Sequence, residues 1–206
     1  MNIGVLVSGR GTNLRSIIES VESGRIRNAQ IKVVISSRAD APAREVAAKH
    51  NINEAFIDPT GYKGKRWEYD LKVINCLEKH GVTPENGLVL LAGYMRILSP
   101  EFVKAYRGRV MNIHPSLLPS FPGVDAQKQA LEHGAKITGC TVHFVDEGMD
   151  TGPIILQASV PVKGNDTVEA LSTRILEQEH RLYPEAVRLF VEGKLMLDGR
   201  RVKILL

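Results

Sequence analysis

Residues 3–21 read I-G-V-L-V-S-G-R-G-T-N-L-R-S-I-I-E-S-V. Residues 3–7 form an apolar run of strand length, Ser8-Gly9-Arg10-Gly11 is a turn, and Leu14, Ile17, Ile18 and Val21 recur at i, i+3, i+4 and i+7, the stripe of an amphipathic helix. A buried strand fed into a helix through a glycine turn is the opening unit of a parallel α/β sheet. The alternation continues outward. Residues 31–35 read as a second strand, Asp40 as the cap of a helix with Pro42 in its first turn, and residues 52–57 as a third strand. Trp67, Leu71, Ile74 and Leu77 mark the apolar side of a helix stopped by Gly81. Residues 88–92 are apolar throughout, as in a strand covered on both faces. Strands alternating with helices in this way predict a doubly wound, mostly parallel, Rossmann-like sheet flanked by helices over residues 1–100.

The remainder is differently patterned. Residues 110–113, 139–145 and 154–160 read as strands separated by loops. A long helix follows from Asp166 as N-cap to Gly193, with Val168, Leu171, Ile175 and Leu182 on one side. A basic hairpin over 195–206 turns at Asp198-Gly199. With no repeat, low-complexity tract or linker, the chain reads as one α/β domain with two halves, Rossmann-like over 1–100 and mixed over 101–206.

Composition narrows the function classes. The 206 residues are 43% hydrophobic and 24% charged, ordinary for a globular protein. A net charge of +4 suits an anionic small molecule, but the basic residues are scattered and their clusters short, which argues against a nucleic-acid surface. Cys76 and Cys140 are far apart without metal-ligand spacing, so neither a disulfide framework nor a metal site is expected, and a reducing cytoplasm fits. The opening residues lack the pattern of a signal peptide, and no apolar run approaches the ~20 residues of a membrane span.

The turn at 8–13 is the first candidate site. Glycines let its backbone approach a ligand, and the N–H groups that open the following helix favour an anion. Gly11, Thr12 and Asn13 therefore read as a phosphate cradle, best suited to a phosphomonoester. The third glycine of a dinucleotide fingerprint is missing, and the second strand ends Ser36-Ser37-Arg38 without the carboxylate that holds a ribose. Arg38 on a 2′-phosphate keeps an NADP-binding dehydrogenase open, and a turn with no ligand is the bland alternative.

The second candidate is M-N-I-H-P-S-L-L-P-S-F-P-G at 111–123. Asn112 and His114, two apart on a strand, project to the same side. An amide donor beside an imidazole can hold a developing oxyanion and move a proton, which acyl transfer to an amine requires. Pro115, Pro119 and Pro122 stiffen the loop that follows. Asp150, in a glycine-bounded loop between two apolar strands, is placed for function rather than packing and would orient His114. His143 alternates with Val142 and Phe144 and reads as structural. No serine-elbow or metal-protease motif is present, so Asn112, His114 and Asp150 point to direct attack by a substrate amine.

Taken together, S-G-R-G-T-N-L at 8–14, L-A-G-Y-M-R-I-L-S-P at 91–100, M-N-I-H-P-S-L-L-P at 111–119, H-F-V-D-E-G-M-D-T-G-P at 143–153 and Q-E-H-R-L-Y-P at 178–184 resemble the phosphoribosylglycinamide formyltransferase family, in order over nearly the whole chain. The resemblance implies the formyltransferase-type fold, a cytoplasmic enzyme of purine biosynthesis that is a monomer or homodimer, and two small-molecule substrates, glycinamide ribonucleotide and 10-formyltetrahydrofolate, with no metal. It implies that Gly11, Thr12 and Asn13 bind the ribonucleotide phosphate, with Glu179 on the ribose hydroxyls inside a segment Leu176, Glu177, Gln178, Glu179. It also implies folate contacts at Arg66, Met95, Arg96, Ile97, Leu98 and Asn112, and at the loop Asp146, Glu147, Gly148, Met149, Asp150. Asn112, His114 and Asp150 match the catalytic positions. Two departures stand out: Val124-Asp125-Ala126-Gln127 replaces a loop histidine common in the family, and Leu176 can offer only its backbone. Another folate-dependent formyltransferase or a formyl-folate hydrolase shares this chemistry and is the alternative.

Overall fold

The structure is a computed structural model describing residues 1–205. It divides into two compact units, Met1–Asn112 and Ile113–Leu206. The strands follow the hydrogen-bonded order β3-β2-β1-β4-β5-β6-β7 in one seven-stranded sheet. The fold is α/β, with a mostly parallel sheet flanked by helices.

In the first unit, β1 (Asn2–Val7) runs parallel to β2 (Gln30–Ser36) on one side and β4 (Gly87–Leu91) on the other. β3 (Asn53–Phe56) extends the β2 side, and residues 110–112 of β5 (Val110–His114) pair with β4. The chain order therefore reverses between β1 and β4. In open α/β sheets, ligands bind beyond the carboxyl ends of the strands at such a switch point. The segments that leave those two ends are the turn at 8–11 and the loop at 92–98, and they are tied together: Ala92 N–H donates to Leu6 O at 2.9 Å and Ser8 N–H to Gly93 O at 3.1 Å.

Helix α1 (Thr12–Glu22) buries Leu14, Ile17 and Ile18. Each such side chain contributes about 1.5–3 kcal/mol over an exposed one. Helix α2 (Pro42–Lys49) starts with Pro42 at a first-turn position, but its N-cap is Ala41 with no side-chain bond. Asp40 instead pairs with Arg38 at 2.8 Å, a charge partner two residues away that competes with the cap. Helix α3 (Arg66–Lys79) is rotated from the expected face. Tyr69, Val73 and Leu77 are fully buried while Trp67 and Leu71 are exposed, because the stripe that meets the sheet runs i, i+4, i+8 and has Tyr69 donating to Ile57 O at 2.9 Å. A short α4 (Pro100–Ala105), capped by the Ser99 hydroxyl accepting from Phe102 N–H, was not evident from periodicity.

In the second unit, β6 (Ile137–Phe144) and β7 (Ile154–Pro161) pair antiparallel, giving the mixed character expected of this portion. Helix α5 (Ala126–Glu132) occupies a stretch that reads as loop in the sequence; it is seven residues long, too short for periodicity to register. Helix α6 (Val168–Val191) packs on both strands. Its N-cap is Thr167, whose hydroxyl accepts from Ala170 N–H at 3.2 Å. Asp166 is taken up by Arg174 and by Lys163 N–H, so it is not the cap. The buried stripe is Leu171, Ile175, Glu179, Tyr183 and Val187, and Val168 and Leu182 fall outside it. Strands β8 (Leu195–Asp198) and β9 (Arg201–Ile204) form the C-terminal hairpin. Among the described residues, no helix is long and apolar enough to cross a membrane.

Candidate active site

In the first unit, Gly11 is the N-cap of α1 at φ 78°, and no side chain caps the helix or places an acid in its first turn. The first turn of α1 thus carries no carboxylate of its own to compete for its opening N–H groups, which suits an anion. A Cβ on Gly11 would lie 2.7 Å from Ala43 Cα, so α2 backs the turn too closely for any side chain. Gly11→Ala combines that clash with a left-handed backbone. It is expected to destabilise the chain by about 2–4 kcal/mol, read as a lower urea midpoint at unchanged slope.

The loop after β4 exposes apolar surface. Met95 is 77% and Ile97 54% exposed, whereas Leu98 is buried in the core. The Arg96 guanidinium carbon sits 4.0 Å from the centroid of the Tyr69 ring, which holds it by cation–π attraction. The loop is anchored at its far end by Asp70, which is buried and accepts from Ser99 N–H at 2.6 Å. Burial raises the Asp70 carboxyl above its ordinary range, opposed by the Ser99 bonds and by Arg96 and Arg66. Arg66 itself is exposed at the start of α3.

In the second unit, His114 closes β5 and is 4% exposed. Its Nδ1 lies 3.4 Å from Asp150 Oδ2, and its Nε2–H donates to Phe121 O at 2.8 Å. Asp150 Oδ2 also accepts from Gly123 N–H at 2.8 Å. Both ends of the segment Phe121–Gly123 are thus held by the two groups with chemical potential. The Asp150 backbone is left-handed, with φ 54°. Its loop is braced by Asp146 Oδ1, which accepts from Gly148 N–H at 3.1 Å and Thr151 O–H at 2.6 Å. A Cβ on Gly152 would fall 1.8 Å from Phe144 O, so the loop exits through a gap only glycine fits.

His143, read as structural from alternation, belongs to the same cluster: its Nε2 is 3.8 Å from Asp150 Oδ1. Its Nδ1–H donates to Phe144 O at 2.8 Å, and burial pushes the imidazole below its ordinary value of 6.5 despite that bond and Asp150. Its Nε2 edge is the one turned toward the Asp150 carboxylate. No strand pattern could reveal this, because the register shift at Val142/His143 breaks the alternation.

The helix segment 176–179 does not act as one surface. Glu179 lies on the buried stripe of α6, Glu177 is exposed, and Leu176 and Gln178 are intermediate. Similarly, Glu147, Gly148 and Met149 are exposed while Asp146 and Asp150 are half-buried. Asn112 is half-buried on β5, two residues before His114. The turn at 11–13 and residues 66 and 95–98 belong to the first unit, and His114, residues 146–150 and 176–179 to the second. Sequence reading also missed Arg200, at the tip of the hairpin, which donates to Thr151 O at 2.9 Å beside Asp150. Among the described residues, no group of three or more His, Cys, Asp or Glu side chains could hold a metal ion.

A buried imidazole against a carboxylate, on a strand that also carries an amide side chain, suits acyl transfer, and the comparisons bear on which kind. Residues 1–187 match the formyl transferase family. The chain belongs to that family. It is similar to glycinamide ribonucleotide transformylase 1 of Symbiobacterium toebii, with a TM-score of 0.94 and 53% identity over 100% of this chain and 94% of that one. The phosphoribosylglycinamide formyltransferase of Escherichia coli strain K12 is 40% identical, covering 98% of this chain and 96% of its own length. The trifunctional purine biosynthetic protein adenosine-3 of Gallus gallus is 47% identical over 94% of this chain, which spans only 19% of that protein. The chain thus spans 14–19% of the length of its trifunctional relatives and nearly all of the single-function Escherichia coli enzyme.

Proposed function

We propose that the chain transfers the formyl group of 10-formyltetrahydrofolate to the amine of glycinamide ribonucleotide, a step of purine biosynthesis, in the cytoplasm. The observation that carries the reading is the buried His114 imidazole against the half-buried Asp150 carboxylate, in a chain of the formyl transferase family. The full-length similarity to enzymes named for this acceptor supports its identity. Two free cysteines, Cys76 and Cys140, the latter pushed up to about 12 by burial and so unreactive, support a reducing compartment.

In this mechanism the lone pair of the acceptor amine attacks the formyl carbon and the carbonyl electrons move onto oxygen. The Asn112 amide and an N–H of His114 donate to that oxyanion. With Nδ1 facing Asp150, Nε2–H is that donor, and it exchanges the Phe121 carbonyl for the substrate oxygen. Asp150 orients His114 and helps the ammonium proton reach the folate nitrogen, whereupon the carbon–nitrogen bond to folate breaks and tetrahydrofolate leaves. Gly11, Thr12 and Asn13 hold the phosphate and Glu179 the ribose hydroxyls, with the Leu176 backbone, Glu177 and Gln178 in the same segment. Arg66, Met95, Arg96, Ile97 and Leu98 hold the folate, with Asp146, Glu147, Gly148 and Met149 around its pterin. Exposed Met95 and Ile97 favour this, because an aromatic ligand would cover them.

A spectroscopic assay of formyl-folate loss tests the reading. The expected result is consumption only when glycinamide ribonucleotide is present, one equivalent per acceptor formylated. Equal loss without the acceptor would identify a hydrolase, and no loss under either condition would sink formyl transfer.

A further inference from the structure

The first unit contains a hydroxyl with no part in the reaction but an unusual position. Ser8 is buried immediately after β1, and its N–H and its hydroxyl both bind the loop that leaves β4. Its N–H donates to Gly93 O at 3.1 Å, and its Oγ accepts from Met95 N–H at 2.9 Å. The same Oγ lies 2.7 Å from the buried Ser37 Oγ, beyond the end of β2. Either hydroxyl can donate in that bond, since Met95 occupies only one of the two lone pairs of the Ser8 oxygen. Three strand ends are thereby joined at one side chain, which begins the turn leading to Gly11 and supports the peptide of Met95.

We propose that Ser8 is a positioning residue that couples the binding of the phosphorylated acceptor at residues 11–13 to the binding of the folate at residues 95–98. This rests on the substrate assignment made under the proposed function. An anion on the opening N–H groups of α1 restricts the backbone from Ser8 to Gly11. Because Ser8 grips the loop at Gly93 and again at Met95, that restriction extends to the apolar residues Met95 and Ile97. The second ligand then orders less chain when it binds, which is positive cooperativity without a change of shape. Ser37 acts one step behind, holding the Ser8 oxygen in place through their 2.7 Å hydrogen bond. Removing the hydroxyl leaves Met95 N–H without its acceptor and releases the loop from Met95 onward, the part proposed to meet the folate, while the backbone bond to Gly93 O and the N–H groups of the turn stay in place.

Coupling between two ligands is reciprocal, so it can be measured from either side. Titration calorimetry on the full chain, with glycinamide ribonucleotide and tetrahydrofolate as a non-reacting pair, gives each dissociation constant with and without the other ligand saturating. In the wild type, each ligand is expected to tighten the other by the same factor, about fivefold or more. In Ser8→Ala the factor falls below about twofold in both directions, with ribonucleotide affinity alone within about threefold of wild type, since the turn is untouched. Ser37→Ala gives an intermediate factor, and Ser8→Thr, which keeps the hydroxyl, restores most of it. A merely structural Ser8 would lower the melting temperature and weaken both ligands without moving the ratio.

A wild-type factor near one, or a Ser8→Ala factor equal to that of the wild type, overturns the proposal. Should Ser8→Ala not fold, Ser37→Ala decides, and an unchanged factor there overturns it as well. If the wild type binds no glycinamide ribonucleotide, the acceptor assignment fails and the coupling with it. Intact formyl transfer with an unmoved ratio removes the coupling alone.

Discussion

Ser8 aside, His114→Ala is expected to lower the turnover number for formyl transfer by about 10²–10³, the usual cost of one oxyanion donor. The loss belongs mainly in kcat, because His114 is proposed to act on charge that exists only as the tetrahedral intermediate forms, leaving substrate affinities near wild type. Stability also changes. The side chain is buried and its Nε2–H bond to Phe121 O is lost, so the unfolding free energy should fall by about 1–3 kcal/mol. Rates are therefore best compared at a temperature where both proteins remain folded by circular dichroism. Single-turnover kinetics with saturating substrates is the decisive measurement. A rate within fivefold of wild type would remove His114 from the chemistry and leave it as a structural tie for the Phe121 segment.

Asp150→Asn tests the other half of the pair and separates charge from shape. Asparagine tolerates the left-handed backbone that Asp150 adopts at φ 54°. Its amide oxygen can still accept from Gly123 N–H, so the loop should keep its course. What goes is the negative charge beside Nδ1 of His114 and 3.8 Å from Nε2 of His143. If Asp150 both orients the imidazole and passes on the proton, kcat falls by about 10²–10⁴, with little change in melting temperature. Retention of a tenth of wild-type turnover would show that the carboxylate only holds the loop, a role the amide can fill.

The parallel sheet was legible because residues 3–21 carry strand, turn and helix in one unbroken pattern and later segments repeat it. The catalytic candidates were legible for a different reason. Asn112 and His114 share a side of one strand, and Asp150 sits where packing has no use for a carboxylate. What stayed hidden depends on contacts far apart in the chain or on the backbone. Which face of α3 is buried was settled by Tyr69 reaching Ile57 O, so the equally regular spacing of Trp67 and Leu71 misled. Asp40 and Asp166 have capping chemistry, but arginine partners claim both. His143 looked structural because alternation holds only up to a register shift. The grip of the Phe121 carbonyl on His114 involves no side chain of Phe121, so residue identities carry no trace of it.

The left-handed turn at Asp150 has a consequence for laboratory evolution. A non-glycine residue in that region holds a conformation about 1–2 kcal/mol less favourable than glycine would. A saturation library at position 150 selected for folding or expression alone should drift toward glycine and asparagine. The same library grown where survival needs the enzyme should return aspartate. The gap between the two selections would measure, at a single codon, how far activity holds this chain from its most stable form.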